Sequence, residues 1–105
     1  MIKYIKNQGY QYVDNYNDLT PKQFTLESAS MNDSERSTFG NSRLDRIETY
    51  RLFVKNIDLA VFKGQVTNIL NSAISDGINV STGTTVDVEN VENGYNITLQ
   101  FNIRG

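Results

Sequence analysis

Tyr95-Asn96-Ile97-Thr98-Leu99-Gln100-Phe101-Asn102-Ile103 alternates without a break between apolar and uncharged polar side chains. Successive side chains of an extended strand point to opposite faces, so Tyr95, Ile97, Leu99, Phe101 and Ile103 share one face. Asn96, Thr98, Gln100 and Asn102 share the other. The first set has to cover a core, whereas the second, with no charge, turns away from it. Just upstream stands Asn93-Gly94, a pair preferred in two-residue type I′ turns because both central residues need positive φ. With those two as the loop, Glu92 faces Tyr95, Val88 faces Leu99 and Val86 faces Phe101, and the chain ends in a β-hairpin.

The segment before the hairpin supplies a cover for that apolar face. Leu59, Phe62, Val66, Ile69/Leu70 and Ala73 recur at steps of three and four residues, which places them on one stripe of an α-helix. Asn56 or Asp58 can cap its start, and Gly77 is positioned to end it in the left-handed conformation. Gly64 weakens this helix by about 1 kcal/mol relative to Ala, which points to a close neighbour at that position. Ahead of the helix, Tyr50, Leu52 and Val54 alternate with Thr49, Arg51, Phe53 and Lys55, a strand with one apolar and one mixed face.

Earlier in the chain the patterns are shorter. Ile2, Tyr4, Tyr10 and Tyr12 around Asn7-Gln8-Gly9 read as a β-hairpin with glycine in the tight position. Thr20-Pro21 can open one helical turn, with Thr20 as cap and Pro21 at the first position. Phe24 to Ser28 alternates again as a strand. Residues 31 to 45 show neither period and are expected to form a long mobile loop, either a surface connector or a partner-binding segment. The expected architecture is a single α+β domain over residues 1 to 105: a small antiparallel sheet, one main helix packed on one face, and the C-terminal β-hairpin.

The composition narrows the functions open to such a domain. With 105 residues there is room for one core. Ten basic and twelve acidic residues, spread without long runs, give a charge of -2, which argues against a phosphate-neutralising stripe and so against nucleic-acid binding. No stretch approaches the ~20 apolar residues of a membrane span, and the start has no apolar signal core. Without Cys there are no disulfides, thiolates or zinc–sulfur sites, and without His the commonest general base and transition-metal ligand is missing. No cofactor is expected.

What chemistry remains would have to use carboxylates. Asp87 and Glu89 share a strand face, but alternation with Val86 and Val88 is also what a solvated strand face looks like. Asp33-Ser34-Glu35 and Asp87-Val88-Glu89 lack the glycine-containing acidic loop that wraps calcium. Ser81-Thr82-Gly83-Thr84-Thr85 leads into a strand and lacks the lysine of a phosphate-binding loop. No catalytic or metal-binding residue is therefore assigned. The candidate interaction surface comprises Glu35, Arg36, Phe39 and Arg43 from the long loop, because long loops often bind partners, and Asn96, Thr98, Gln100 and Asn102 from the last strand, because interface cores are depleted of charge. The last strand, ending Asn102-Ile103-Arg104-Gly105, is also expected at a sheet edge with little to block pairing.

The run Glu48-Thr49-Tyr50-Arg51-Leu52-Phe53-Val54-Lys55, the helix from Asp58 to Asp76 and the closing strand from Tyr95 to Ile103 resemble, in element order, phage tail terminators and related minor capsid or tail-completion proteins. The likeness covers about residues 47 to 105 and includes no diagnostic motif. It implies a non-enzymatic, ring-forming protein, often hexameric, that docks on other tail or neck proteins. It also implies a place in the virion after assembly in the bacterial host cytoplasm. The chain departs from that pattern by opening with apparent strands instead of a substantial helix. Two other classes stay open: a small cytoplasmic adaptor or inhibitor binding through an exposed sheet edge, and a small hydrolase using Asp87 and Glu89.

Overall fold

The computed structural model describes residues 1–14, 19–34, 43–80, 85–91 and 94–104. The elements run α1 (Ile2–Lys6), β1 (Gln11–Tyr12), β2 (Gln23–Ser34), β3 (Arg43–Lys55), a 3-10 turn (Asn56–Asp58), α2 (Leu59–Ser75), β4 (Asn79–Val80), β5 (Thr85–Val91) and β6 (Gly94–Arg104). This is the expected α+β arrangement, a sheet with one main helix on one face and a C-terminal strand hairpin. The sheet order is β1-β2-β3-β6-β4, with β5 also on β6. Every pairing is antiparallel except the two-residue β1–β2 ladder, which is parallel and makes the sheet mixed.

β3 is the spine. It pairs with β6 from Asp45↔Arg104 to Lys55↔Gly94 and with β2 from Phe24↔Leu52 to Ser34↔Arg43. Its alternation places Tyr50, Leu52 and Val54 on the covered face, all buried, beside Ile97, Leu99, Phe101 and Ile103 of β6. Phe62, Ile69 and Ala73 of α2 close that face, with Leu59, Val66 and Leu70 packed at the margin. The stripe inferred from spacing is thus the buried one. Aromatic rings link the strands: Tyr12–Phe24 at 5.4 Å, Phe24–Tyr50 at 6.0 Å and Tyr50–Phe101 at 5.9 Å between centroids. Tilted and edge contacts of this kind add to area burial because the positive ring edge meets a negative face.

α2 ends as expected. Gly77 has φ 88°, its N–H donates to the Ile74 carbonyl, and the Ile78 N–H donates to the Ala73 carbonyl. These two bonds make a Schellman motif, with Ile78 packed back onto the core. At the other end Asp58 holds the N-cap position without a side-chain capping bond, because the 3-10 turn leads directly into the helix.

The N-terminal hairpin is not formed. Residues 2–6 are helical, with Tyr4 and Ile5 buried, and Gly9 at φ 95° follows the last turn. Ile5 breaks the alternation of Ile2 and Tyr4, and docking both Tyr4 and Ile5 on the core requires helical spacing. The Tyr4 hydroxyl donates to Asp76 at 2.9 Å and the Tyr10 hydroxyl to Gln65 at 2.5 Å, so this segment is tied to the middle of α2 and to its C-terminal cap. Thr20-Pro21 opens no helical turn either. The Gln23 N–H donates to the Thr20 carbonyl, Pro21 follows Thr20, and Lys22 has φ 68°, the arrangement of a type II turn.

The long loop expected over 31–45 does not hold at either end. Residues 31–34 belong to β2 and 43–45 to β3, where backbone pairing continues although the side chains show no apolar alternation; residues 35–42 lie outside the described residues. A bulge between Leu26 and Ser28 shifts the β2 register by one residue. The C-terminal hairpin is two positions out of the inferred register: Val86 faces Leu99, Val88 faces Ile97, and Val91↔Gly94 closes the ladder ahead of residues 92 and 93, which lie outside the described residues. An even shift preserves both faces.

Gly94 explains the shift. It is a buried strand residue beside Lys55, and a Cβ there would lie 2.6 Å from both Phe53 Cζ and the Val54 carbonyl oxygen. Close approach, not positive φ, is what requires glycine. Gly64 is the opposite case: a Cβ there meets nothing within 4 Å, so no close neighbour explains it. Gly94→Ala should lower stability by about 1–3 kcal/mol through overpacking, whereas Gly64→Ala should raise it by about 0.5–1 kcal/mol through helix propensity. Denaturant melts of the two variants check the opposite signs.

Candidate interaction surface

Among the described residues no group of three or more His, Cys, Asp or Glu side chains could hold a metal ion, and no helix is long and apolar enough to cross a membrane. Among the described residues the carboxylate that lies inside is Glu48. It projects from β3 on the core side and is 7% exposed. The Met1 ammonium group approaches Glu48 Oε1 at 3.2 Å, Arg46 Nε approaches Oε2 at 2.7 Å, and the Tyr50 hydroxyl donates to Oε1. Burial pushes the Glu48 carboxyl up, but the Tyr50 hydroxyl, the ammonium group and Arg46 together outweigh it and hold the group below the ordinary carboxylate range. Burial, with Glu48 alongside, pushes the Tyr50 phenol far above its usual value. A carboxylate kept ionised and saturated with donors is poorly suited to proton transfer near neutral pH. Its geometry is that of a satisfied buried anion.

Among the described residues no helix lies on the second face of the sheet. Along β6, Asn96, Thr98, Gln100 and Asn102 stand in line on it, as the alternation implied. Their partners on β3 are Phe53, Arg51, Thr49 and Ile47, and those on β5 include Glu89, Asp87 and Thr85. The Gln100 amide donates to Thr49 Oγ1 at 3.5 Å, and Arg51 pairs with Glu27 of β2 at 3.3 Å. Four uncharged polar side chains therefore stand in line along β6, with Arg51 beside them on β3. Arg43 begins β3 opposite Ser34, at the far end from Asn96. Glu35, Arg36 and Phe39 lie outside the described residues.

β6 is not the edge it was expected to be. β3 runs along one side of it, and β5 and β4 share the other, so its polar row is accessible from the face only. Among the described residues the outer strands are β1 on one side and β4 and β5 on the other, and β1 covers the outer side of β2 only at Gln23 and Phe24. Both edges carry acidic residues, Asp87 and Glu89 on β5 and Glu27 and Asp33 on β2. Like charges set opposite one another oppose pairing between two such edges.

A further apolar surface, which hydrophobic periodicity did not reveal, lies where β3 turns into α2. Ile57 is 84% exposed and Val61 60% exposed. Phe53, Ile57 and Val61 border two adjoining depressions there, the tighter of them a cleft of about 90 Å³ lined also by Lys22, Lys55 and Asp58. That volume suits a single side chain, not a metabolite. The signal in the sequence was Ile57, which is apolar yet out of phase with the buried stripe.

The fold and these surfaces define the class: a two-layer α+β protein with an open polar sheet face and an exposed apolar corner. Compared with protein-family models, curated proteins and solved structures, the chain matches none.

The Glu48 cluster carries a definite pH sign. Because its folded-state pKa lies below the unfolded value near 4.5, the carboxylate contributes stability above that value and loses it as pH falls through the folded-state pKa. Denaturant midpoints should hold steady from neutral pH to just above the ordinary carboxylate range and then drop. Glu48→Gln should cost about 1–3 kcal/mol at neutral pH by stranding its donors and should flatten the acid limb.

Proposed function

We propose that this protein is a non-catalytic assembly component that associates with itself and docks on other proteins through its open sheet face. The observation that carries this reading is the uncharged row Asn96, Thr98, Gln100 and Asn102 on a face that no helix covers among the described residues. Desolvating amides and hydroxyls costs far less than desolvating charges, and such groups can exchange water for bonds to a partner. The order of strand, helix and closing hairpin supports the likeness to phage tail terminators and tail-completion proteins. On that reading the partners are tail or neck proteins, the assembly is a ring, and the place of action is the virion.

A second reading rests on the outer side of β2. Beyond Phe24 that edge has no strand partner among the described residues, and Ser28, Ala29 and Ser30 are exposed. An adaptor or inhibitor could add a partner's basic extended segment there, its charges answering Glu27 and Asp33.

Native mass measurement separates the two. Self-association should give a species above the 11.9 kDa monomer that captures tail or neck proteins encoded beside it. A strict monomer that retains one soluble host protein would favour the adaptor. Gln100→Glu places a charge in the middle of the row and should weaken capture of the tail partners while leaving the melting temperature unchanged.

A further inference from the structure

We infer that the apolar corner where β3 turns into α2 is a docking site for a short linear segment of another protein, one that carries an aliphatic side chain beside carboxylates. Such a site rests on the docking proposed above, for which it supplies a second surface, and requires no self-association. Ile57 and Val61 are two of the most exposed large apolar side chains of the described structure, and both stand at this corner with Phe53. Exposed apolar side chains gathered at one place mark a contact surface more than scattered ones do. Phe53 and Lys55 line both of the adjoining depressions. Hollows that share a wall fit successive side chains of one segment, and the tighter, of about 90 Å³, takes a single aliphatic side chain.

Charge selects the occupant. Lys22 and Lys55 line the tighter cleft, both are exposed, and among the described residues neither has an ion-pair partner. Asp58 is the one carboxylate among the residues lining it, so two lysines face a single negative charge. Carboxylates flanking the aliphatic side chain of a partner would answer the excess, as complementary charges do around an apolar contact.

A second copy of this chain is a poorer occupant. Corner against corner across a two-fold axis would bring lysines towards lysines. Among the described side chains elsewhere, Glu27 is met by Arg51, Glu48 by Arg46 and the Met1 ammonium group, and Asp76 by Lys3. That leaves Asp14, too little to answer two lysines.

Selection of random linear peptides, displayed on yeast, against the whole chain tests this. Enriched sequences should set an aliphatic residue next to Asp or Glu, and a synthetic peptide of that sequence should bind more weakly as salt rises. Lys22→Glu with Lys55→Glu, and separately Ile57→Ser with Val61→Ser, should each raise its dissociation constant by at least roughly tenfold with the melting temperature unchanged. Exchanging the carboxylates of the peptide for lysines should recover binding to the lysine-reversed chain. No enrichment, enrichment of basic or uncharged sequences, or full affinity in both variants would overturn the assignment. So would loss of an oligomer in those variants, which would give the corner to a second copy. Gln100→Glu should leave peptide binding unaltered; if the corner fails while that variant still weakens capture of tail partners, docking through the open face stands without it.

Discussion

The structure depends on one row of rings. Tyr12, Phe24, Tyr50 and Phe101 stand side by side across four strands, each in tilted or edge contact with the next. A chain with this few large apolar residues has little other means of excluding water from a sheet, since aromatic side chains bury the largest area apiece. A separate edge contact, Phe62 of α2 with Tyr10 at 6.4 Å, joins the helix to the N-terminal segment. Helix, sheet and N-terminal segment therefore share one core, which explains how a two-residue parallel strand and a five-residue helix hold their places. Neither would persist alone, because short helices and isolated strand pairs are marginal in water.

A charged group sits at the end of that row. Glu48 occupies a core-side position of β3, two residues before Tyr50, where alternation would call for an apolar side chain. It is tolerated because the Tyr50 hydroxyl, Arg46 and the Met1 ammonium group all meet it. A buried ion pair of this kind seldom adds net stability over an apolar replacement, since desolvation offsets the attraction. What it does is fix geometry, holding Met1 and α1 against β3. The end of the core is thereby specific as well as buried.

The same sheet geometry leaves surfaces that a helix does not cover. α2 is 17 residues long, about 26 Å, while the 13 residues of β3 extend about 44 Å, so one helix cannot span the sheet. Among the described residues, the face without a helix is polar and uncharged along β6, and the corner at Ile57 is apolar.

Much of this was legible in local pattern. The buried stripe of α2, its glycine stop at Gly77, the alternation of β3 and β6 and the two faces of β6 follow from periodicities of 3.6 and 2 that backbone geometry imposes within a few residues. The polar row of the candidate surface was legible for the same reason. Three things were not. Ile2 to Tyr12 became a short helix and a parallel strand because Tyr4 and Ile5 both had a core to reach, and a five-residue helix leaves too short a period to detect. The hairpin register moved by two because Gly94 is held flat beside Phe53 and Val54, a contact between strands far apart in the chain. The place of β6 inside the sheet, and hence which edges lie open, was set by β4 and β5 sharing one side of it. Local sequence determines which face of an element is apolar; only tertiary packing decides which neighbour covers it, because that choice depends on contacts between residues distant in the chain.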